Sequence, residues 1–309
     1  MKTLIIHHDE CLRHDPGPGH PERPERVTAI LKAIQGVAGT EFLPAPLATA
    51  EQLERVHEAA YWAQLVELEP APDPAVDRLA LDPDTWLSAG SIDATLRGSG
   101  AACFAVDQLF TGQARNAFCV TRPPGHHAES ARAMGFCLLN HAAVAARHAQ
   151  ATHGAKRIAI VDFDVHHGNG TQAIFAESPD VLYVSSHQLP LYPGTGLPDE
   201  RGCGNVLNLP LVPGDGSAEF RKAWSGRGLP VLERFGPDLI IASAGFDAHQ
   251  RDPLGQLELQ DADYSWITGE ICAIAKATCG GKLVSILEGG YDLEALASAA
   301  LAHTTALVA

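Results

Sequence analysis

In "KRIAIVDFDVHHGNGTQ", residues 156–172, an apolar run leads directly into a group of acids and imidazoles. The branched apolar side chains predict a β-strand over residues 156–165. Alternate side chains of a strand share a face, so Asp162, Asp164 and His166 would lie on one side of it. Because unpaired buried charges are costly, we expect a bound cation, a hydrogen-bonded network, or a strand that ends early and exposes these groups.

The same order, an apolar strand followed by a polar or glycine-rich loop, recurs along the chain and alternates with helical stretches. Such strands read "NAFCVTRPPG" (residues 116–125), "DVLYVSSH" (180–187), "PDLIIASAGFD" (237–247) and "KLVSILEGGYD" (282–292). This alternation predicts an α/β fold with a mostly parallel central sheet flanked by helices on both faces. Ligand sites in such sheets lie beyond the carboxyl ends of the strands, so we expect the polar loops to meet at one edge.

Several helices are predicted between these strands. They include residues 24–36, residues 86–112, and residues 217–236 with a weak point at Gly226 and Gly228. The proline-rich "EPAPDPAVD", residues 69–77, is short enough to be a surface loop rather than a domain linker. We therefore expect one domain over residues 1–309.

Composition restricts the classes of function. The net charge of -15 at pH 7 disfavours binding to nucleic acid or to an anionic membrane and would attract a basic substrate. No apolar run reaches the roughly 18–20 residues of a membrane span, and "MKTLIIHHDE" does not read as a signal peptide, so a cytoplasmic protein is expected. The seven cysteines form no CxxC pair, which argues against a disulfide framework.

Asp164 and His166 provide a carboxylate and an imidazole, and Asp247 follows another predicted strand. Three such ligands would leave one position of a divalent ion open for water, which is typical of a catalytic metal site. The mixed oxygen and nitrogen ligands favour zinc and also suit iron(II), manganese(II) or cobalt(II). An isolated DxH is more often a capped turn, but here other reactive residues follow neighbouring strands.

Two of these other features suggest proton transfer. The adjacent His126 and His127 of "PGHHAE" diverge too much to bind one ion, so we predict that they act as general base and acid. Asp162 would accept the Nδ1 proton of one of them. Two glycines precede Tyr291 in "EGGYD" and allow a sharp turn, from which the phenol could donate to an oxyanion.

Taken together, these residues make the sequence resemble the histone deacetylase family, closest to its class II and bacterial deacetylase-like amidohydrolases. The motifs that carry the resemblance are "GHPERPERV", "RPPGHHAE", "GFCLLNHAAVAA", "DFDVHHGNGTQ", "YPGTG", "AGFDAHQRDPLG" and "LEGGYD". They span nearly the whole chain. The resemblance implies a single-domain arginase/deacetylase fold with one catalytic zinc ion.

The resemblance also implies the roles of individual residues. Zinc would be held by Asp164, His166 and Asp247, beside the tandem histidines His126 and His127. Asp162 would support His126, and Tyr291 would polarise the scissile carbonyl. One structural potassium ion is implied at Asp162, Asp164, His166 and Ser185, and a second around Phe175, Ser178 and Val181.

A narrow substrate channel is implied as well. Its residues would be Gly135, Phe136, Tyr192 and Gly290, with Arg26 lining a cavity below the site where the acid product leaves. Either Asp82 or Asp84 would be a rim acid that holds the substrate backbone, and the sequence does not select between them. Cys137 is assigned to packing.

Asn169 stands where class I relatives have an aspartate and agrees with class II. Because a neutral amide stabilises an imidazolium less than a carboxylate does, His127 should be less basic than His126. Which histidine is the principal base stays open at this point.

The implied reaction removes acetyl or other short acyl groups from the ε-amine of lysine in peptides or proteins, with His127 accepting a proton from the attacking water. The alternative is an acetylpolyamine amidohydrolase, since the negative charge would suit a polycation equally well. An arginase-like ureohydrolase is disfavoured because "GHH" stands where a second metal would need an aspartate. A non-catalytic metal-binding module is also disfavoured, because it would need neither the tandem histidines nor Tyr291.

Overall fold

The computed structural model describes residues 1–72 and 78–309. The surface loop predicted at residues 69–77 lies partly outside the described residues. The described ranges contain ten strands, which are β1 Thr3–His7, β2 Thr40–Pro44, β3 Arg78–Ala80, β4 Trp86–Ser88, β5 Asn116–Cys119, β6 Ile158–Asp162, β7 Val181–Gln188, β8 Val206–Leu211, β9 Leu239–Ala244 and β10 Leu283–Leu287. Eight of them form one parallel sheet in the order β2-β1-β5-β10-β9-β6-β7-β8. Strands β3 and β4 form a separate antiparallel pair.

Helices cover both faces of the sheet, as predicted. They are α1 Glu25–Ile34, α2 Ala50–Glu54, α3 Ala59–Leu68, α4 Ser91–Phe110, α5 His141–His153, α6 Asn169–Phe175, α7 Ser217–Ala223, α8 Leu229–Phe235, α9 Asp261–Cys279 and α10 Leu293–Val308. Successive strand residues point to opposite faces. Val161 and Ile240 pack with α9 and α10, whereas Ile160 and Ile241 pack with α4 and α5. Each of these fully buried aliphatic side chains contributes roughly 1.5–3 kcal/mol of transfer free energy.

Two predicted helices differ in detail from the observed ones. The helix predicted from residue 86 begins at Ser91, because Gly90 has a φ of 93° and breaks the segment into β4 and α4. The weak point predicted in residues 217–236 is a π-helical turn, Trp224–Gly228, between α7 and α8. A Cβ at Gly228 would lie 2.5 Å from Cε3 of Trp224, so the glycine lets the buried indole pack against the backbone.

Strand β6 ends at Asp162, three residues earlier than predicted, so the strict alternation of faces does not extend to His166. From residue 164 to residue 166, the backbone N–H groups donate to carboxylates instead of to carbonyls of a neighbouring strand. The N–H of Val165 donates to Oδ1 of Asp247 at 2.8 Å, and the N–H of His166 donates to Oδ1 of Asp164 at 2.9 Å. The acids and imidazole nevertheless stay buried.

Loops that follow the central strands β5, β10, β9, β6 and β7 therefore meet at one edge of the sheet. Among the described residues, no helix is long and apolar enough to cross a membrane.

Candidate active site

Asp164, His166 and Asp247 come together beyond the ends of β6 and β9, which are neighbours in the sheet. Nδ1 of His166 lies 3.1 Å from Oδ1 of Asp164 and 3.1 Å from Oδ2 of Asp247. All three residues are buried, and one ligand atom from each lies within 4.8 Å of the others. The structure thus joins the three residues that the sequence predicted as metal ligands.

Two glycines allow these carboxylates to approach so closely. A Cβ on Gly245 would lie 2.1 Å from Oδ2 of Asp164, and one on Gly289 would lie 2.1 Å from Oδ2 of Asp247. The N–H of Gly289 donates to Oδ2 of Asp164 at 2.8 Å. Glycine is required at both positions because any side chain would displace an acid.

The electrostatics of the cluster fit a divalent cation. Burial and the neighbouring Asp164 carboxylate raise the pKa of Asp247 to about 7. Burial disfavours the charged form of His166, but hydrogen bonds to the two carboxylates outweigh burial and raise its pKa to about 10. Buried carboxylates this close repel one another, and a cation bound between them removes that repulsion. A donor set of two carboxylate oxygens and one imidazole nitrogen suits zinc and its first-row neighbours.

His126 and His127 lie beside this cluster with ring centroids 4.1 Å apart. Nδ1 of His126 donates to Oδ2 of Asp162 at 3.0 Å, and Nδ1 of His127 donates to Oδ1 of Asn169 at 2.8 Å. The amide of Asn169 is oriented by its own donation to Oε1 of Glu129 at 3.2 Å. Since an amide oxygen only accepts, the proton of neutral His127 lies on Nδ1 and leaves Nε2 as the free acceptor.

The two histidines differ in basicity in the predicted direction. Burial lowers the pKa of His126, but the charges of Asp162 and Asp164 outweigh burial and hold the pKa well above 6.5. Burial, followed by the charges of His126 and His166, holds the pKa of His127 well below 6.5. Burial is thus the main cause for His127, and it outweighs the hydrogen bond to Asn169, which by itself raises the pKa.

Glu288 is a fully buried acid at this site that sequence reasoning missed. Its Oε2 accepts the N–H groups of Gly125 at 2.7 Å and His126 at 3.1 Å, and its Oε1 accepts the hydroxyl of Ser243 at 3.0 Å. Burial raises its pKa to about 7. The signal was present in "LEGGYD", where an acid directly follows an apolar strand.

Tyr291 is placed by groups behind and beside it. Its N–H donates to Oδ2 of Asp252 at 2.6 Å, and the guanidinium of Arg26 lies 4.8 Å from its ring centroid. Arg26 is fully buried and donates from Nε to the carbonyl of Gly290 at 2.6 Å and from Nη2 to the carbonyl of Glu288. Asp252, in the motif "AHQRDPLG", is a second positioning acid that the sequence analysis missed.

A cavity of about 240 Å³ leads to the site. Its lining residues are Asp84, His127, Gly135, Phe136, His166, Leu191, Tyr192, Leu254 and Tyr291. The rings of Phe136 and Tyr291 meet edge to face with centroids 5.9 Å apart. The cavity thus contains the predicted Gly135, Phe136 and Tyr192.

The predicted channel residue Gly290 does not line this cavity, and neither does Arg26, which was predicted to lie below the site. The guanidinium of Arg26 lies behind the ring of Tyr291, bonded to main-chain carbonyls, and Gly290 forms the turn that carries Tyr291 with a φ of 122°. Of the two candidate rim acids, Asp84 lines this cavity and Asp82 does not, and the role of a rim acid stays a prediction. Asp82 instead accepts the backbone N–H of Asp84 at 2.9 Å and caps the loop.

Two features of position 135 require a glycine. Its φ of 57° lies in the left-handed region, and a Cβ there would lie 2.4 Å from Cδ2 of His127. Phe136 follows with a φ of 67°, which is costly for an aromatic residue and directs this segment past the histidine. This pair of left-handed residues forms the wall of the channel next to the catalytic candidates.

The polar residues next to Asp164 and His166 are hydrogen-bonded to other side chains of the protein. His167, predicted not to be a ligand, has Nδ1 at 2.7 Å from Oγ1 of Thr195 and Nε2 at 2.9 Å from Oε1 of Gln172. At the first predicted potassium site, Oδ2 of Asp162 accepts the hydroxyl of Tyr183, and Oγ of Ser185 lies 2.9 Å from Nδ1 of His187. A potassium ion there would rely on backbone carbonyl oxygens, and it stays a prediction.

A second cluster of metal-type ligands lies away from this edge, on α4 and α5. Nε2 of His148 and Nε2 of His153 both lie 2.7 Å from Oδ1 of Asp107. Nη1 of Arg55 donates to Nδ1 of His148 at 2.9 Å, so this imidazole carries its proton on Nε2 and donates it to Asp107. The cluster is a hydrogen-bonded network joining two helices.

The sequence of the chain is similar to that of proteins of one family. The histone deacetylase domain model matches residues 20–307. "Histone deacetylase 14, chloroplastic" of Arabidopsis thaliana is 40% identical, covering 96% of this chain and 74% of the relative. "Histone deacetylase-like amidohydrolase" of Pseudomonas aeruginosa is 36% identical, covering 94% of this chain and 82% of the relative.

A solved structure agrees with the sequence comparisons. The crystal structure of the HDA15 HD domain has a TM-score of 0.91 and 36% sequence identity, and it covers 99% of this chain and 88% of that chain. The predicted arginase/deacetylase fold is therefore confirmed. With a family match across nearly its whole length, the chain belongs to the histone deacetylase family and is a deacetylase-type hydrolase.

Proposed function

We propose that this chain, as one catalytic domain over residues 1–309, is a zinc-dependent amidohydrolase that removes acetyl or other short acyl groups from the ε-amine of lysine. The observation that carries the proposal is the buried Asp164, His166 and Asp247 set, which lies beside two differently tuned histidines at the base of an aromatic channel. The same edge of the sheet thus supplies metal ligands, proton carriers and a substrate passage.

Asp164, His166 and Asp247 would hold one zinc ion. When bound, zinc supplies Lewis acidity that lowers the pKa of a water molecule and polarises an amide carbonyl. The residues around it then handle the protons.

His127 is assigned as the proton acceptor for the attacking water. Its Nδ1 proton is donated to Oδ1 of Asn169, and its lowered pKa keeps Nε2 unprotonated at neutral pH. His126 is assigned as the donor to the leaving amine, because its raised pKa keeps it protonated beside Asp162. One histidine is thus poised to accept a proton while the other is poised to give one.

Tyr291 is assigned to oxyanion stabilisation. Its ring lines the cavity opposite Phe136, and its backbone is fixed by Asp252. Burial raises the pKa of its hydroxyl well above 10, so the group stays protonated and can donate to a developing oxyanion.

The channel supports an acylated amine on a slender alkyl stem as the substrate. Phe136 and Tyr192 provide aromatic walls, and Asp84 at the mouth can accept a hydrogen bond from a peptide N–H. An acetylated polyamine fits the same description, with its second ammonium group drawn by the acidic surface. We favour acyl-lysine as the substrate because the sequence shows no inserted loop that would narrow the entrance to the channel. Turnover of acyl-lysine peptides compared with turnover of acetylpolyamines separates the two substrate classes.

The test is Tyr291→Phe, with Tyr264→Phe as the matched control. Tyr264 is fully buried, and its hydroxyl has no hydrogen-bond partner among the described residues, so its loss should leave turnover unchanged. Removing one oxyanion donor should lower kcat about 10²–10³-fold. Zinc content measured on both variants should equal that of the parent, and near-normal turnover of Tyr291→Phe, or turnover unaffected by a chelator, would contradict the mechanism.

A further inference from the structure

Asn205, the residue before β8, places its side-chain amide where three backbone carbonyls converge. Nδ2 lies 2.8 Å from the oxygen of Phe175, 3.0 Å from that of Ser178 and 2.8 Å from that of Val181. These carbonyls belong to the last residue of α6, the turn after it and the first residue of β7. They belong to the residues around which the resemblance implied a second potassium ion.

The amide is held in this orientation at both ends. Its Oδ1 accepts the N–H of Cys203 at 3.2 Å, and a Cβ on Gly202 would lie 2.6 Å from that oxygen. The N–H of Cys203 also donates to the carbonyl of Ala176 at 2.7 Å, which fastens the loop around the amide. Asn205 is buried, so turning the amide away would leave polar atoms without partners.

A group of carbonyls at the end of a helix carries partial negative charge that must be compensated. The side-chain N–H groups of Asn205 donate to these carbonyls. Arg147 supplies a formal positive charge, because its guanidinium lies 4.8 Å from the ring centroid of Phe175 and its Nη2 donates to Oγ of Ser178 at 2.8 Å. The chain therefore satisfies this group with its own side chains.

We infer that the Asn205 amide, supported by Arg147, takes the place of a second monovalent cation in this chain. A cation bound by the carbonyls of Phe175, Ser178 and Val181 would occupy the volume that Nδ2 fills at hydrogen-bond distance. Both cannot be present together. This inference concerns the loop between α6 and β7 and does not depend on the reaction proposed above.

Rubidium is the probe for the parent protein. Crystals of the whole chain grown in rubidium chloride should show no anomalous peak between the three carbonyls, with the amide of Asn205 in place. A rubidium peak there, with the side chain turned aside, would overturn the inference. This measurement needs no variant and is unaffected by a failure of any variant to fold.

Asn205→Ala tests whether the amide stands in for a cation. Removing the amide should open the carbonyl group to potassium. The variant should lose stability in choline chloride and recover several degrees of Tm in potassium chloride at equal ionic strength, beyond any potassium effect on the parent. Rubidium should then give a peak between the carbonyls.

The matched control is Asn208→Ala, a buried asparagine of β8 whose Nδ2 donates to Oε1 of Gln172 at 2.9 Å. Its loss of stability should be the same in potassium and choline. If Asn205→Ala behaves in the same way as Asn208→Ala, with equal losses in both salts and no rubidium peak, the amide is an ordinary loop contact and the inference fails.

Discussion

Glu22→Gln removes one charge from a group of fully buried ions beneath the active site. Oε1 of Glu22 accepts Nε of Arg122 at 2.7 Å and Nη1 of Arg26 at 3.1 Å, and its Oε2 accepts Nη2 of Arg122 at 2.6 Å. All three side chains are fully buried. The substitution preserves the shape of the side chain but leaves two buried guanidinium groups without their shared counter-ion.

Two arguments give the size of the effect. Breaking a buried ion pair by removing one partner costs about 3–5 kcal/mol. Burial opposes the charged form of Glu22, yet the charge and hydrogen bonds of Arg122, with smaller contributions from His14 and Arg26, lower its pKa from 4.5 to about 2. That difference corresponds to about 3 kcal/mol in favour of the carboxylate over a neutral group. Because Arg122 keeps its donations from Nη1 to the carbonyls of Cys11 and His14, we expect the lower end, about 3 kcal/mol.

Urea unfolding at pH 7, followed by circular dichroism, measures this loss of stability. The control is Glu25→Gln in the same segment, where the side chain is exposed and a change below about 0.5 kcal/mol is expected. Because Arg26 lies against the ring of Tyr291, Glu22→Gln should also reduce kcat. A loss of stability below about 1 kcal/mol would refute the account of these ions as a mutually dependent group.

Two further predictions concern the site itself. Gly135→Ala should lower kcat/KM more than tenfold with the fold retained, because the new Cβ would lie 2.4 Å from Cδ2 of His127. Gly112→Ala controls for backbone strain, because Gly112 has a φ of 73° and its Cβ would meet no atom within 4 Å. Equal activity of the two variants would contradict this reasoning. Zinc binding to metal-depleted protein at pH 7 should release between one and two protons, because His166, with a pKa of about 10, and Asp247, with a pKa of about 7, must both be deprotonated as ligands. Calorimetry in buffers of different ionisation enthalpy measures that number, and a release below about 0.5 would contradict the raised pKa values.

The sheet and the cluster of Asp164, His166 and Asp247 were predictable because both depend on local patterns. Each central strand is an apolar run long enough to cross the core, and its first polar residues mark the carboxyl edge. Asp164, His166 and Asp247 follow such runs, so the parallel arrangement alone brings them to one side. The sequence does not determine that β6 and β9 are neighbours, and this pairing brings Asp247 next to the other two ligands.

Long-range contacts account for the differences. Strand β6 ends at Asp162 because the N–H groups of residues 164–166 find carboxylates, one of them on Asp247 more than 80 residues away. Arg26 lies behind Tyr291 because the carbonyls of Glu288 and Gly290 accept its guanidinium. Neither of these contacts can be predicted from the sequence close to the residues that make it.

The acids of the site also hold its backbone. Asp164 accepts the N–H groups of His166 and Gly289, and Asp247 accepts that of Val165, so each ligand joins two loops from different strands. Hydrogen bonds to charged groups contribute about 1.5–3 kcal/mol each, which offsets part of the cost of burying the acids. Of the three explanations for charges at the end of a core strand, the structure therefore shows the hydrogen-bonded network, which fixes the carboxylates in place before any cation binds.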